Sequence, residues 1–259
     1  MKINSPQFNL MHKACMKASK TLIRDFGEIE KLQISEKGPG DFVTASDKRV
    51  EEIIINELKK TEYSFLTEET GLIEGKDKNK RWIIDPIDGT FNFLNGLPHF
   101  AISIAYEEKS EIISGIIFDP IKNEMFFAEK GNGAYLNNTR IRVSNKSDFK
   151  SSCLVTGGPK FTSKLKESIL DEYKKISLEV RGHIRKSGSA ALDVAYVAAG
   201  RYDGHWQREL NYWDIAAGVI ILKESGGYIE NLKGKSFTDG KIDLVASNSK
   251  IHKEFVNLL

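Results

Sequence analysis

The sequence predicts an α+β half followed by an α/β half, packed as one unit. Three observations carry this expectation. Helical apolar spacing dominates the first sixty residues, and five short β-branched or aromatic runs follow between 63 and 135. After a polar stretch at 143–151, helices and strands alternate. The 259 residues suit one large domain or two small ones, and the expected halves are 1–145 and 146–259.

The elements follow in order. Ser5 before Pro6 reads as a helix cap, with proline at the first helical position. Met11, Ala14, Ala18, Leu22 and Phe26 then recur at helical spacing, and Gly27 is the stop. A second helix starts near Ser46, with Val50, Ile53, Ile54 and Leu58 inward and Glu51, Glu52 and Lys59 outward. Between these helices Lys37-Gly38-Pro39-Gly40-Asp41 is turn-rich and expected to be mobile. Strands are expected at 63–67, 81–84, 100–106, 112–118 and 124–128. The second half should hold strands at 153–156, 177–181, 228–230 and 244–246. Its helices should span 162–175, 189–199 and 213–224, with a closing helix after Ser249.

Composition narrows the function classes. Hydrophobic residues at 40%, with 21 glycines and 6 prolines, describe a folded globular chain rather than a disordered one. Against 36 acidic residues, 38 basic ones leave a net charge of +2, so no global basic field favours nucleic acid as a partner. Cys15 and Cys153 are distant and form no CxxC pair, which argues against a disulfide framework or a zinc site and for a reducing compartment. The first residues lack a secretory apolar core, and runs such as 215–222 are too short to cross a bilayer. A cytoplasmic protein without membrane association is expected.

The chemistry concentrates at Asp85-Pro86-Ile87-Asp88-Gly89-Thr90. An apolar strand ends in two aspartates held apart by a rigid Pro-Ile step, and Gly89-Thr90 opens a helix whose amides suit an oxyanion. Asp-Pro and Asp-Gly are also ordinary turn dipeptides. Glu68-Glu69 ends another strand, and Trp213-Asp214 opens another helix; a solvated pair and a helix cap are their plain alternatives. If the three segments converge, Glu68, Asp85, Asp88 and Asp214 form an all-oxygen cluster. Such a cluster needs cations, and hard oxygen donors favour Mg²⁺.

Together these segments resemble the inositol monophosphatase family of Mg²⁺-dependent, lithium-sensitive phosphatases. Gly40-Asp-Phe-Val-Thr-Ala-Ser-Asp47 and Gly188-Ser-Ala-Ala-Leu-Asp193 extend the resemblance over nearly the whole chain. It implies a five-layer αβαβα sandwich, a homodimer and two or three Mg²⁺ ions. One ion would be held by Glu68, Asp85 and the Ile87 carbonyl, and a second by Asp85, Asp88 and Asp214. A third, weaker site would use Glu68. Asp47 and Thr90, with Glu68, would position and deprotonate the attacking water, although Thr44-x-x-Asp47 also reads as a capping box. The Gly89 and Thr90 amides would bind phosphoryl oxygens.

Arg185 matches a family arginine near the substrate, and Gly188-Ser189-Ala190 opens a helix whose amides and Ser189 hydroxyl suit substrate hydroxyls; with Gln207 and Asp214 these are the expected contacts to a small phosphorylated polyol or sugar. Tight packing of small residues is the plain account of Gly188-Ser189-Ala190, and a solvated charge that of Arg185. His183 and His205 read as surface or satisfied polar residues. Inositol-specific members carry a glutamate seven residues before the last aspartate, where this chain has Gln207; a local bulge could bring Glu209 inward instead. Phe91-Asn92-Phe93 after the threonine favours inositol 1-phosphate over fructose 1,6-bisphosphate, 3'-phosphoadenosine 5'-phosphate or histidinol phosphate. A regulatory role in transcription or ribosomal RNA maturation, known for some bacterial members, is the alternative from another class.

Overall fold

The computed structural model describes residues 5–29, 34–38, 41–160, 162–234, 237 and 240–259. Helix α1 (Pro6–Phe26) opens as its sequence dictates: the Ser5 hydroxyl accepts from the Phe8 N–H at 3.1 Å, and Gly27 ends it. Strands β1 (Ile34–Gly38) and β2 (Asp41–Thr44) pair antiparallel. Pro39 and Gly40, at the centre of the segment expected to be mobile, lie outside the described residues. Helix α2 (Ala45–Leu58) starts on a capping box in which Asp47 accepts from the Thr44 N–H at 2.7 Å. Glu51, expected on the outer face, is only 2% exposed; it accepts from the Glu69 N–H at 3.0 Å and from the Thr70 hydroxyl. Its hydrogen bonds offset the burial that its charge would otherwise oppose.

The large sheet comprises β3 (Tyr63–Thr67), β4 (Gly71–Ile73), β5 (Asp77–Asp88), β6 (Ala101–Glu108), β7 (Glu111–Asp119), β8 (Glu124–Glu129), β9 (Gly133–Leu136) and β10 (Thr139–Arg140). Its order is β10-β9-β8-β7-β6-β5-β3-β4, antiparallel except for the β3–β5 pair. The two-residue period of a strand divides its side chains between two cores. Trp82, Ile84, Ile102 and Ile104 meet Phe8, Met11, Val50 and Ile54 of α1 and α2. Ile83, Ala101, Ala105 and Ile117 face the opposite way, onto helices of the second half.

Between β5 and β6 lies the short α3 (Thr90–Leu94). The second half follows as β11 (Leu154–Thr156), α4 (Lys166–Glu179), β12 (Ile184–Arg185), α5 (Ala190–Ala198), β13 (Gly204–Leu210), α6 (Tyr212–Glu224), β14 (Tyr228–Asn231), β15 (Ile242–Ser247) and α7 (His252–Leu258). Its sheet has the order β12-β11-β13-β15-β14. Helices α5 and α6 lie between the two sheets, and every residue of α5 is buried, as an apolar helix covered on all sides requires. Ile176 of α4 and Phe255 of α7 pack with Trp206 and Val245 on the outer face of the small sheet. The layers are therefore α1/α2, large sheet, α5/α6, small sheet, α4/α7: the αβαβα sandwich.

Two expectations are corrected. No strand forms at 177–181: α4 continues to Glu179, with Ile176 buried and Leu178 77% exposed. Ile176, Leu178 and Val180 alternate like a strand, but Ile176 and Val180 also stand four apart, on one helical face. Strand β13 was not anticipated, because His205, Gln207, Arg208 and Glu209 hide its apolar signal. Among the described residues no helix is long and apolar enough to cross a membrane. Both cysteines are free, Cys15 buried and Cys153 half-buried.

Candidate active site

The β5–β6 ladder runs in register to Asp85, then shifts before Asp88. Pro86 lies within this irregularity and has no N–H to give the ladder. The Ile87 N–H donates to the Asp85 carboxylate at 3.1 Å. Gly89 follows at φ +96°, and a Cβ there would lie 3.2 Å from the Gly188 and His99 carbonyl oxygens. Only glycine makes this turn without strain. Parallel pairing of β3 with β5 sets Thr67 opposite Ile84, so Glu68 emerges beside Asp85, its N–H bonded to the Ile84 carbonyl at 3.2 Å.

The second half meets this edge. Asp88 accepts from the Ser189 hydroxyl, from the Ala190 N–H at 3.2 Å and from the Ala191 N–H at 2.9 Å. Ser189 also caps α5, accepting from the Leu192 N–H at 3.3 Å. Asp214, in the first turn of α6, accepts from the Asn211 N–H at 2.8 Å. Glu68, Asp85, Ile87, Asp88, Gly89, Thr90, Gly188, Ser189, Ala190, Gln207 and Asp214 all line one open cleft of about 360 Å³. Asp47 sits behind it, fully buried; its carboxylate lies 3.2 Å from the Thr90 hydroxyl, which is also 3.0 Å from the Ile87 carbonyl.

Electrostatics mark the acidic end. Burial pushes the Asp85 carboxyl well above its ordinary range, and the charges of Glu68, Asp88 and Asp214 push it further. Asp88 is raised to about 7 by burial, against hydrogen bonds from Ser189, Ala190 and Ala191. Burial also raises Asp214, while Asn211 and the charges of Lys160 and Lys241 oppose the shift. Among the described residues no group of three or more His, Cys, Asp or Glu side chains is placed to hold a metal ion as it stands.

Not every expected residue reaches the cleft. Arg185 is exposed, donates to the Ile184 carbonyl at 3.3 Å and does not line it. Glu209 is not among the lining residues either, although β13 does shift register between Gln207 and Leu210. His183 is exposed, whereas His205 is fully buried. Lys160, Asp193, Asn211, Trp213 and Lys241 line the cleft and were not anticipated. Asn211 and Trp213 flank Asp214 and Asp193 closes a segment already singled out, so adjacency was a usable signal. The two lysines had none.

The layered fold is of the inositol monophosphatase and fructose-1,6-bisphosphatase type, as in the Thermotoga maritima IMPase (TM-score 0.83, 35% identity, 97% of this chain and 95% of that one). A profile described as the inositol monophosphatase family matches residues 4–259, and the chain belongs to that family. An inositol-1-monophosphatase from Mesorhizobium japonicum is 43% identical over 251 residues, covering 96% of this chain and 94% of that protein. The Nus factor SuhB of Haemophilus influenzae is 38% identical, covering 98% and 95%. The extragenic suppressor protein suhB from Bartonella henselae superposes with a TM-score of 0.93 at 42% identity over 98% of each chain. Family membership supports a phosphatase.

Proposed function

We propose that this chain hydrolyses the phosphate monoester of a small polyol or sugar in a Mg²⁺-dependent reaction, with inositol 1-phosphate as the first substrate to test. The observation that carries the reading is the acidic end of the cleft: buried Asp85 and Asp88 with half-buried Asp214 beside Glu68, at the start of a short helix. Its donors are hard oxygens only, which fit Mg²⁺. An open set also fits, because Mg²⁺ keeps several waters and takes one or two carboxylates with a substrate phosphate.

Glu68, Asp85, the Ile87 carbonyl, Asp88 and Asp214 would hold two or three ions. When bound, the cations neutralise phosphoryl charge and acidify water. The protein's own residues supply the rest. The Thr90 hydroxyl would donate a hydrogen bond to Asp47 and so turn its own oxygen lone pair toward the attacking water; Glu68 is the second acceptor for that water's protons. The Gly89 and Thr90 N–H groups donate to phosphoryl oxygens, and the helix start favours their negative charge. Ser189 and the Ala190 and Ala191 N–H groups hold Asp88 in place.

The test is phosphate release from inositol 1-phosphate, glycerol 2-phosphate, fructose 1,6-bisphosphate, 3'-phosphoadenosine 5'-phosphate and histidinol phosphate. Release should require Mg²⁺, stop in excess chelator and fall with lithium. Full activity in chelator ends the metal mechanism. A homodimer in the cytoplasm completes the proposal, with light scattering and fractionation as its checks. A regulatory role is the second reading, favoured by relatives named Nus factor SuhB at 38–40% identity. Rescue of a deletion strain by an inactive Asp88→Asn chain would establish it.

A further inference from the structure

The cleft changes character on the Asp214 side, where Lys160 and Lys241 bring positive charge to the aspartate. Apart from Asp214 itself and buried Asp193, the polar side chains there are Lys160, Gln207, Asn211, Trp213 and Lys241. Gln207 is seated closely: a Cβ on Gly157 would fall 2.3 Å from its Cδ, so the amide rests on a bare backbone. His205 lies behind it, fully buried, with Nδ1 unpartnered among the described residues. The other ring nitrogen, Nε2, is 3.3 Å from Gln207 Oε1 and 4.0 Å from Asp193 Oδ2.

These distances fix the proton. A neutral imidazole carries one N–H. Placed on Nδ1, it would be a buried donor with no acceptor, and the Nε2 lone pair would face two oxygens. Placed on Nε2, it donates to Gln207 Oε1 and points its positive end toward Asp193, leaving only a bare acceptor at Nδ1. Burial keeps the ring neutral by lowering its pKa to about 4. With its oxygen engaged, Gln207 has only its two N–H donors left, and these have no protein partner among the described residues. Asn211 Oδ1 accepts from Lys241 Nζ at 2.6 Å, and its side chain also hydrogen-bonds Asp214. This part of the cleft presents donors and ammonium groups.

We infer that the substrate is a phosphate monoester whose non-reacting end bears a second anionic group, a carboxylate or another phosphate, read by Gln207, Lys160 and Lys241, with His205 as the residue that positions the Gln207 amide. The inference rests on the phosphatase reading and narrows its substrate class. A glutamate at Gln207 would offer acceptors to sugar hydroxyls and repel such a group; the amide does the reverse.

The experiment compares kcat/KM within two matched pairs in Mg²⁺. One pair is 3-phosphoglycerate against glycerol 3-phosphate, the other fructose 1,6-bisphosphate against fructose 1-phosphate. The expected result is a preference of tenfold or more for the anionic member of one pair, expressed in KM; which pair shows it separates carboxylate from phosphate. Gln207→Glu should reverse that preference. His205→Phe should collapse it through KM more than kcat, and His205→Gln, which restores a donor near the Nε2 position, should recover it. If His205→Phe fails to fold, Gln207→Glu and His205→Gln decide. Phosphate release with no preference in either pair, or a ratio that Gln207→Glu leaves unmoved, overturns the inference and leaves the phosphatase reading standing. No release from any ester overturns that reading, and this one with it.

Discussion

The Thr90 hydroxyl stands 3.2 Å from the Asp47 carboxylate and 3.0 Å from the Ile87 carbonyl, two acceptors around one proton. The other Asp47 oxygen accepts from the Thr44 N–H at 2.7 Å and from its hydroxyl at 2.6 Å. One carboxylate thus closes the α2 cap and holds a hydroxyl at the cleft. Helix capping and support of the site are the same structure seen from two sides.

Asp47→Asn should therefore damage both. Its amide cannot accept everything the carboxylate accepts, and the loss should be roughly 1–3 kcal/mol in urea unfolding. Turnover should fall at least a hundredfold. Thr90→Ser should retain most activity and Thr90→Ala very little, both with unfolding midpoints near that of the parent. Equal activity of the two variants would remove the hydroxyl from the mechanism.

Neutralising the acidic end should have opposite effects at two positions. Asp85 faces the charges of Glu68, Asp88 and Asp214, so Asp85→Asn should raise the melting temperature of the metal-free protein by roughly 2–4 °C. Asp88 instead receives a hydroxyl and two N–H groups, and Asp88→Asn would aim an amide N–H at them. It should destabilise by about 1–3 kcal/mol. Calorimetry on both proteins after metal removal checks the contrast.

Metal-free stability should also fall with rising pH. Asp88 is raised to about 7 in the fold from an ordinary 3.8, so the folded state holds protons that the unfolded chain has released. That stability is complete below the unfolded value and is lost as pH rises through about 7. His205 has the opposite sign: lowered to about 4 from 6.5, it weakens the fold only as pH falls below about 6.5. Urea midpoints between pH 6.5 and 8.5 isolate the carboxylates, and saturating Mg²⁺ should flatten the slope. A flat slope without metal would show that the buried aspartates are not mutually strained.

Gly188→Ala should be costly for a local reason. Gly188 sits at φ +88°, and its added Cβ would lie 2.8 Å from Asn92 Nδ2. That nitrogen donates to the His99 and Ser187 carbonyls, each at 2.8 Å, and ties α3 to the second half. A loss of about 2 kcal/mol or more in unfolding free energy is expected, with lower turnover because Ser189 shifts away from Asp88.

Much of this was legible in the residues. Ser5-Pro6 and Thr44-x-x-Asp47 announce their helices because capping is local chemistry, and alternation about Trp82 and Ile83 announces a strand between two cores. What escaped depends on distant partners. Glu51 looks like a surface charge until Glu69 and Thr70 fold over it. His205 looks like a satisfied or surface side chain until β11 and β15 pair on either side of its strand. Lys160 and Lys241 are 81 residues apart, and only the folded chain brings them to one cleft.

The irregularity in β13 makes a statement about counting. Gln207 pairs with Leu244 and Leu210 with Ile242, so three steps along one strand answer two along its neighbour. One extra residue is accommodated there, with Glu209 at φ +59° and its N–H bonded to Asp243 at 3.0 Å. Removing Glu209 would leave Gln207, Leu210 and Asp214 opposite their present partners, but would shorten the interval from Gln207 to Asp214 by one. Insertions and deletions at this point can therefore pass without moving the side chains that face the cleft. Two homologous chains can hold equivalent residues at different offsets from the same aspartate, and alignment by register will equate what alignment by spacing separates.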